Sequence, residues 1–217
     1  MYYSQCEEDS FLNNTFFKNK RNGVYIELGA LDGVLFSNTK FYEDTLNWTG
    51  ILIEPHPDKF IALKNNRPNN ILCNDLVSCH QEPLQFRYFV NFHAAVSGVE
   101  NTLSKHHIDT YYESNNPHNK AAPQCRKMIT PRTLTEIIKS TNIRHVDFLS
   151  LDVEGHEYEV LQSWDFSIPI DLILIEMLGV QPEKDELCRK ILIDKGYTFI
   201  QSFRHNEIYV RDATLFS

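Results

Sequence analysis

Carboxylates recur in this sequence where apolar, strand-forming runs give out. Glu27 lies in "VYIELGALDG" with Asp32 close behind it. Glu54 closes "GILIEP", Asp75 closes "NILCND", Asp152 ends "HVDFLSLD" and Glu176 falls near the end of "DLILIEM". An unpaired charge at the end of a buried strand is expensive, so each of these groups needs a partner. Taken singly, each reads equally well as strand punctuation or a helix cap. In register at successive strand ends, they form a rim able to receive hydroxyl groups and a cation. In an open α/β sheet that rim, beyond the carboxyl ends of the strands, is where ligands bind.

Spacing narrows the ligand. Glu54 follows Glu27 by about 27 residues, near the interval at which an acid ending the second strand holds a ribose diol. A carboxylate there accepts both hydroxyls and repels a 2′-phosphate, so an unphosphorylated adenosine ribose is expected. A dinucleotide needs G-x-G-x-x-G so that backbone can approach its pyrophosphate. The turn here, Gly29-Ala30-Leu31-Asp32-Gly33, lacks two of those glycines and adds an acid. S-adenosylmethionine has no phosphate, and the ammonium at its methionine end suits Glu27 and Asp32.

Methyl transfer is an in-line displacement, for which the protein mainly aligns the acceptor with the methyl group. An alcohol acceptor also needs a base or a metal ion to deal with its proton. Asp152 is the first candidate for the catalytic position, and His156 has a suitable ordinary pKa. Glu154 and Glu176 are candidates for positioning the acceptor. Asp152 and Glu176 together also suit magnesium, a hard ion that prefers carboxylate oxygens. Plainer readings stand beside these: Glu154 as a first-turn acid favoured by the helix macrodipole, and His156 as a solvated helix residue. His106, His107 and His118 either line an acceptor pocket or are simply exposed.

The elements that must position these residues alternate between strand and amphipathic helix. This predicts a doubly wound, mostly parallel α/β sheet with helices on both faces. Helices are expected over "SNTKFYEDTL", begun by Ser37 or Asn38, over "PDKFIALKNN", over "TLTEIIKS" with Thr133 or Thr135 as cap, and over "EGHEYEVLQSW". "KDELCRKILIDKG" predicts a helix closed by Gly196, and "YTFIQSF" with "EIYVR" an antiparallel C-terminal hairpin. The polar stretch from about 98 to 124 breaks this rhythm, and a loop of that length is more often a functional lid or a disordered excursion than scaffold. No repeat or linker divides the chain, which predicts a single domain over 1–217 with an irregular acceptor-side insertion.

Composition sets outer bounds. A net charge of −8 and a pI near 5.6 argue against a dedicated nucleic-acid binder. The five cysteines are scattered without a C-x-x-C pair, which reads as free thiols in a reducing compartment. No apolar run approaches a membrane span and no signal peptide is evident, so a cytoplasmic location is expected. The sequons at Asn13 and Asn47 then read as chance matches.

Three stretches, "ELGALDGVLFSNT", "ILIEPHPDKFIALKNN" and "DFLSLDVEGHEYEVL", resemble the FkbM family of class I S-adenosylmethionine-dependent methyltransferases. A fourth, "SQCEEDSFL", resembles the family's leading S-Q-x-G-E-D segment, with Glu7 where glycine is usual. "NDLVS" departs from the alanine-rich sequence common after the third strand. The resemblance runs from about Ser4 to Val210. It implies a seven-stranded Rossmann-like sheet with an antiparallel last strand. It places Glu27, Gly29, Ala30 and Asp32 around the methionine moiety, Glu54 and Pro55 at the ribose, and Asp75 with Leu76 by the adenine. Gln5, Asp9, Ser37 and Asn38 would close the cofactor pocket, with Asp152 at its methyl end. It further implies O-methylation of a sugar hydroxyl, on a nucleotide-linked sugar or a glycan. A non-sugar acceptor and a non-catalytic cofactor-binding module remain as alternatives.

Overall fold

The structure, a computed structural model, describes residues 1–90, 94–113, 123–212 and 214. Its strands are β1 (Val24–Leu28), β2 (Thr49–Ile53), β3 (Ile71–Cys73), β4 (Leu84–Phe89), β5 (Gly98–Val99), β6 (Gln124–Ile129), β7 (Val146–Leu151), β8 (Ile170–Glu176), β9 (Thr198–Phe203) and β10 (Asn206–Val210). The helices are α1 (Glu8–Leu12), α2 (Lys40–Leu46), α3 (Pro57–Asn66), α4 (Lys105–His107), α5 (Leu134–Lys139), α6 (Glu157–Gln162) and α7 (Pro182–Asp194). One π turn, Asn13–Phe17, extends α1, and another, Ile108–Tyr112, extends α4.

Seven strands form one sheet in the order β3-β2-β1-β7-β8-β10-β9, with β10 antiparallel to both of its neighbours. This is the doubly wound sheet with a C-terminal hairpin that the sequence predicts. Strands covered on both faces read as nearly continuous apolar runs, and every residue of β7 is buried. Register assigns the faces. Ile26 pairs with Leu149 in one core, among Leu161, Trp164 and Ile173. Tyr25 pairs with Phe148 in the other, among Phe17, Tyr42 and Trp48. Because β1 pairs in parallel with both β2 and β7, the order of the strands reverses beside it. The crevice expected at such a switch point therefore opens between the turn after Glu27 and the end of β7.

Local chemistry sets the helix starts. Thr133 caps α5 through a reciprocal capping box with Glu136. The helix expected from Ser37 or Asn38 begins only at Lys40, yet Ser37 Oγ accepts the backbone N–H groups of Thr39 (3.2 Å) and Lys40 (3.1 Å). α7 starts at Pro182, whose fixed φ and missing N–H suit a first turn.

A second, antiparallel sheet, ordered β5-β4-β6, is a feature that the sequence reading misses. The expected loop of 98–124 opens on β5, contains α4 and runs into β6. Two features hide this sheet: β6 is a largely exposed, polar strand, and β5 is two residues long. Neither carries a hydrophobic period. Leu76, Phe86 and Val99 form its core, and Ser78 N and Arg132 N bond to Arg132 O and Leu76 O to tie it to the end of β3. All five cysteines are free. Among the described residues no helix is long and apolar enough to cross a membrane.

Candidate active site

The turn leaving β1 crosses directly over β7. Gly29 has φ +78°, and a Cβ there would lie 2.0 Å from the carbonyl oxygen of Asp152, so only glycine fits. Glu27 lines the crevice, but its carboxylate is engaged from the protein side. It accepts Ser37 Oγ (3.0 Å), Asn38 N (2.8 Å) and Thr39 Oγ1 (2.6 Å), with Arg67 Nη1 at 4.0 Å. Burial raises its pKa, while the Arg67 guanidinium opposes that shift. Asn38 in turn donates to Ser150 Oγ (2.9 Å), joining this loop to β7. Asp32 turns away from the crevice: it accepts Val34 N and Leu35 N and faces Lys59 Nζ at 3.6 Å. Ala30 is buried in the core, and Leu31 takes the place beside the cleft.

Glu54 and Pro55 line the crevice from β2. Glu54 accepts Leu31 N (2.8 Å) on one oxygen and His56 N (2.7 Å) on the other, and burial pushes its pKa up to about 7. A carboxylate oxygen can accept about two hydrogen bonds, so each retains capacity for a hydroxyl. Next to it, Leu76, Val77, Phe86 and Val99 make an apolar slot. Asp75 is paired with Arg132 (3.0 Å) and leaves this wall to Leu76.

At the far end, Asp152 and Glu176 are hydrogen-bonded to each other, with Glu8 close by. Burial, and then neighbouring negative charge, raises the pKa of both. Glu154 has φ +57°, a strained conformation for a residue with a side chain. Glu157 braces it by accepting Val153 N (3.0 Å) and Gly155 N (3.2 Å), and Lys184 Nζ holds Gly155 O (2.6 Å). The His156 imidazole is buried in the wall with Nδ1 3.1 Å from Thr102 Oγ1. Thr102 gives its hydroxyl hydrogen to Val99 O (3.1 Å), so Nδ1 carries the ring hydrogen and Nε2 keeps its lone pair. Among the described residues neither His156 Nε2 nor Ser97 Oγ, both in cleft-lining residues, has a hydrogen-bond partner. Such orphaned groups call for an explanation, and a polar ligand supplies one.

Two cavities meet here. The crevice encloses about 120 Å³, and a neighbouring cavity of about 390 Å³ is lined by Ser104, His106, His107, Tyr111, Tyr158 and Lys184, among others. Gln5, Phe36, Ala95, Glu154 and Glu176 border both. A short parallel bridge from Ser4 to Phe36 seats Gln5. Asp9 lies beneath as a fully buried clamp, accepting Tyr3 N (2.6 Å) and Ser4 Oγ (2.7 Å). Glu7, where the resemblance expects glycine, has φ +70°, the conformation that glycine adopts without strain.

His118 lies outside the described residues. Of the groups missed by sequence, Ser97 lies in none of the quoted stretches, whereas Phe36 stands inside "ELGALDGVLFSNT" and Glu8 inside "SQCEEDSFL" without having been singled out. Among the described residues one set of three potential metal ligands, His145, Asp147 and Asp171, brings its atoms within 4.8 Å. It sits at the other end of β7 and β8, where Asp147 already accepts Val24 N (2.7 Å) and pairs with Lys20. Asp152 and Glu176, which the sequence offered as a pair that could suit magnesium without making it the favoured reading, belong to no such set of three among the described residues.

The chain matches the methyltransferase FkbM domain over residues 27–200. No curated protein matches it. Among solved structures, a methyltransferase FkbM from Methylobacillus flagellatus KT superposes with a TM-score of 0.50 at 13% identity, over 87% of this chain and 43% of that one. The fibrillarin pre-rRNA processing protein of Methanococcus jannaschii superposes at 0.47 with 13% identity, over 88% and 67% of the two chains. The Aeropyrum pernix fibrillarin, solved with natively bound S-adenosyl-L-methionine, gives 0.47 at 12% identity, over 88% and 66%. At 13% identity the likeness to the Methylobacillus protein is one of fold alone, and the chain spans under half of that protein's length. The family match takes in the Glu27 turn, Glu54 and the Asp152–Glu157 segment, and the chain belongs to the methyltransferase FkbM family.

Proposed function

We propose that the protein is an S-adenosylmethionine-dependent O-methyltransferase acting on the hydroxyl of a sugar, nucleotide-linked or within a glycan. The observation that carries this reading is the meeting of two cavities at Glu154 and Glu176. One suits the methyl donor, and the other leaves room for an acceptor. The crevice fits the donor by chemistry. Glu54 has acceptor capacity for a diol, and Leu76, Val77 and Phe86 offer an apolar slot for a flat ring. At the other end Gly29, Asn38 and Asp152 face the space for the methionine moiety, where desolvated carboxylates need a cation to compensate them. S-adenosylmethionine, when bound, supplies an electrophilic methyl group.

The chain's own part is to align an acceptor oxygen and receive its proton. The second cavity suits a sugar because the Tyr111 and Tyr158 side chains stand among polar groups, including His106, Gln181 and Asp185. Apolar surface with a few convergent polar groups is the usual makeup of a small-molecule site.

Calorimetric titration with S-adenosylhomocysteine tests the donor half. The expected result is micromolar binding by the wild type and at least about tenfold weaker binding by Glu54→Ala, the loss of more than 1 kcal/mol that unmade hydrogen bonds to a charged group entail. Absence of wild-type binding overturns the reading. A panel of free and nucleotide-linked sugars, followed by mass spectrometry for methylated product, tests the acceptor half. Methylation confined to non-sugar acceptors overturns that half alone.

A further inference from the structure

His107 and Glu154 face each other on the border of the acceptor cavity. The ring's Nε2 lies 2.9 Å from the backbone oxygen of Val96. A carbonyl only accepts, so Nε2 carries a hydrogen whenever this bond is made. The ring's other nitrogen, Nδ1, lies 3.3 Å from Glu154 Oε2. A neutral ring protonated on Nε2 presents a bare lone pair to that oxygen, and an ionised carboxylate presents another. The contact is attractive only when one proton sits between them. The frame is fixed on both sides. Ser104 Oγ accepts His107 N (3.0 Å), Tyr112 donates its hydroxyl to the same Val96 oxygen (2.9 Å), and Glu154 is held in its left-handed conformation.

We propose that Glu154 and His107 form a one-proton pair that takes up the hydrogen of the acceptor hydroxyl. Glu154 is the catalytic residue and His107 the positioning residue behind it. This rests on the methyltransferase reading above. In the resting pair the proton is on Glu154 Oε2, directed at Nδ1. As the acceptor oxygen bonds to the methyl carbon, the electron pair of the broken carbon–sulfur bond stays on sulfur. The hydroxyl proton passes to Glu154 Oε1, and the shared proton moves from Oε2 to Nδ1. Glu154 ends neutral, as it began, and His107 ends as imidazolium. The positive charge lost at sulfur reappears on the ring, so the buried site gains no net charge. The imidazolium then returns its proton to water through the open cavity.

The surroundings favour this resting state. Glu154 faces Asp152, Glu157, Glu176 and Tyr112, and the negative charge held among these three carboxyl groups disfavours a further one on Glu154. His107 faces His106, Tyr111 and Tyr112. Burial raises the Glu154 pKa well above the carboxylate range, and burial lowers that of His107. His156 is unsuited to the role: burial drives its pKa to about 4, too low for an effective base near neutrality.

Nitrogen-15 spectra of the histidine rings in the intact protein test the pair without any turnover. The expected result is a His107 protonated on Nε2, with Nδ1 shifted as a hydrogen-bond acceptor, unchanged between about pH 6 and about pH 8. In Glu154→Ala that Nδ1 signature is lost while S-adenosylhomocysteine still binds. A His107 protonated on Nδ1, or one titrating alone near the ordinary value in the wild type, overturns the proposal. With a sugar acceptor from the panel, Glu154→Gln should lower kcat at least about 100-fold at little changed KM. His107→Phe should shift the pH profile of kcat, and unchanged profiles in both variants overturn it too. Failure of the methyltransferase reading shows differently, as a wild type that binds no S-adenosylhomocysteine.

Discussion

Glu54 shows how one buried carboxylate can make stability depend on pH. Its pKa rises from 4.5 to about 7 because burial outweighs the two backbone N–H bonds it accepts. The folded state therefore holds a proton that the unfolded chain releases between those values. The stability it contributes is fully present below 4.5 and is lost as pH rises through about 7. Glu157, also raised to about 7, has the same sign. The depressed pKa of His156 has the opposite sign but acts only below its ordinary 6.5, which leaves higher pH to the carboxylates. The unliganded protein should melt progressively lower from about pH 6.5 to about pH 8, and Glu54→Gln should flatten part of that slope. Thermal melts across the range check this, and a slope unaffected by Glu54→Gln contradicts the burial account. At this scale the sequence was a good guide to which residues gather, because strand ends are recognisable. Glu27, Glu54, Asp152, Glu154, His156 and Glu176 all line the cleft. It could not say which way a carboxylate turns. Asp32 is satisfied by the amides of its own turn, Asp75 by Arg132 and Asp9 by Ser4, three partners that no motif announces.

Between elements, Arg67 binds the turn after β1 to α2 and α3. It is fully buried and donates to Gly33 O, Tyr25 Oη, Thr39 Oγ1 and Glu43, facing Glu27 across the same network. Removing one partner from a buried ion pair leaves an uncompensated charge, at a cost of about 3–5 kcal/mol. For a chain of this size that corresponds to roughly 6–20 °C in melting temperature. Arg67→Met should show that loss by circular dichroism. Arg67→Lys should recover little, since one ammonium cannot replace a planar fork of five donors. A melting temperature within about 2 °C of wild type in Arg67→Met, under 1 kcal/mol by the same scaling, means that the network is not holding the turn. Arg67 escaped sequence reading because "NNRPNN" looks like solvated loop. β4 to β6 escaped because their packing is with one another and with Leu76, whereas the parallel strands carried their burial in their own composition.

The molecule as a whole consists of a large sheet with extensive cores and a small sheet with little core of its own. The former buries residues on both faces across two wide clusters, whereas the latter rests on Leu76, Phe86 and Val99 and on Phe89, Leu103 and Tyr112. Segments with few buried apolar contacts open at lower free energy than the global transition. In the unliganded protein, amides of β4, β5 and α4 should therefore exchange sooner than those of β1, β7 and β8. The cleft links the two parts, because Leu76, Phe86 and Val99 belong to the small core and also line the crevice whose other wall is Gly29, Glu54 and Asp152. A ligand seated there must be released before the small sheet can lift away. At 100 times its dissociation constant, S-adenosylhomocysteine adds about 2.7 kcal/mol to that opening, which slows exchange about 100-fold. Hydrogen exchange read by mass spectrometry should show this slowing in β4 and β5, as well as in the turn after β1. Protection confined to the β1 turn would mean that the small sheet moves independently of the donor site and that its link to the chemistry runs through the acceptor cavity alone.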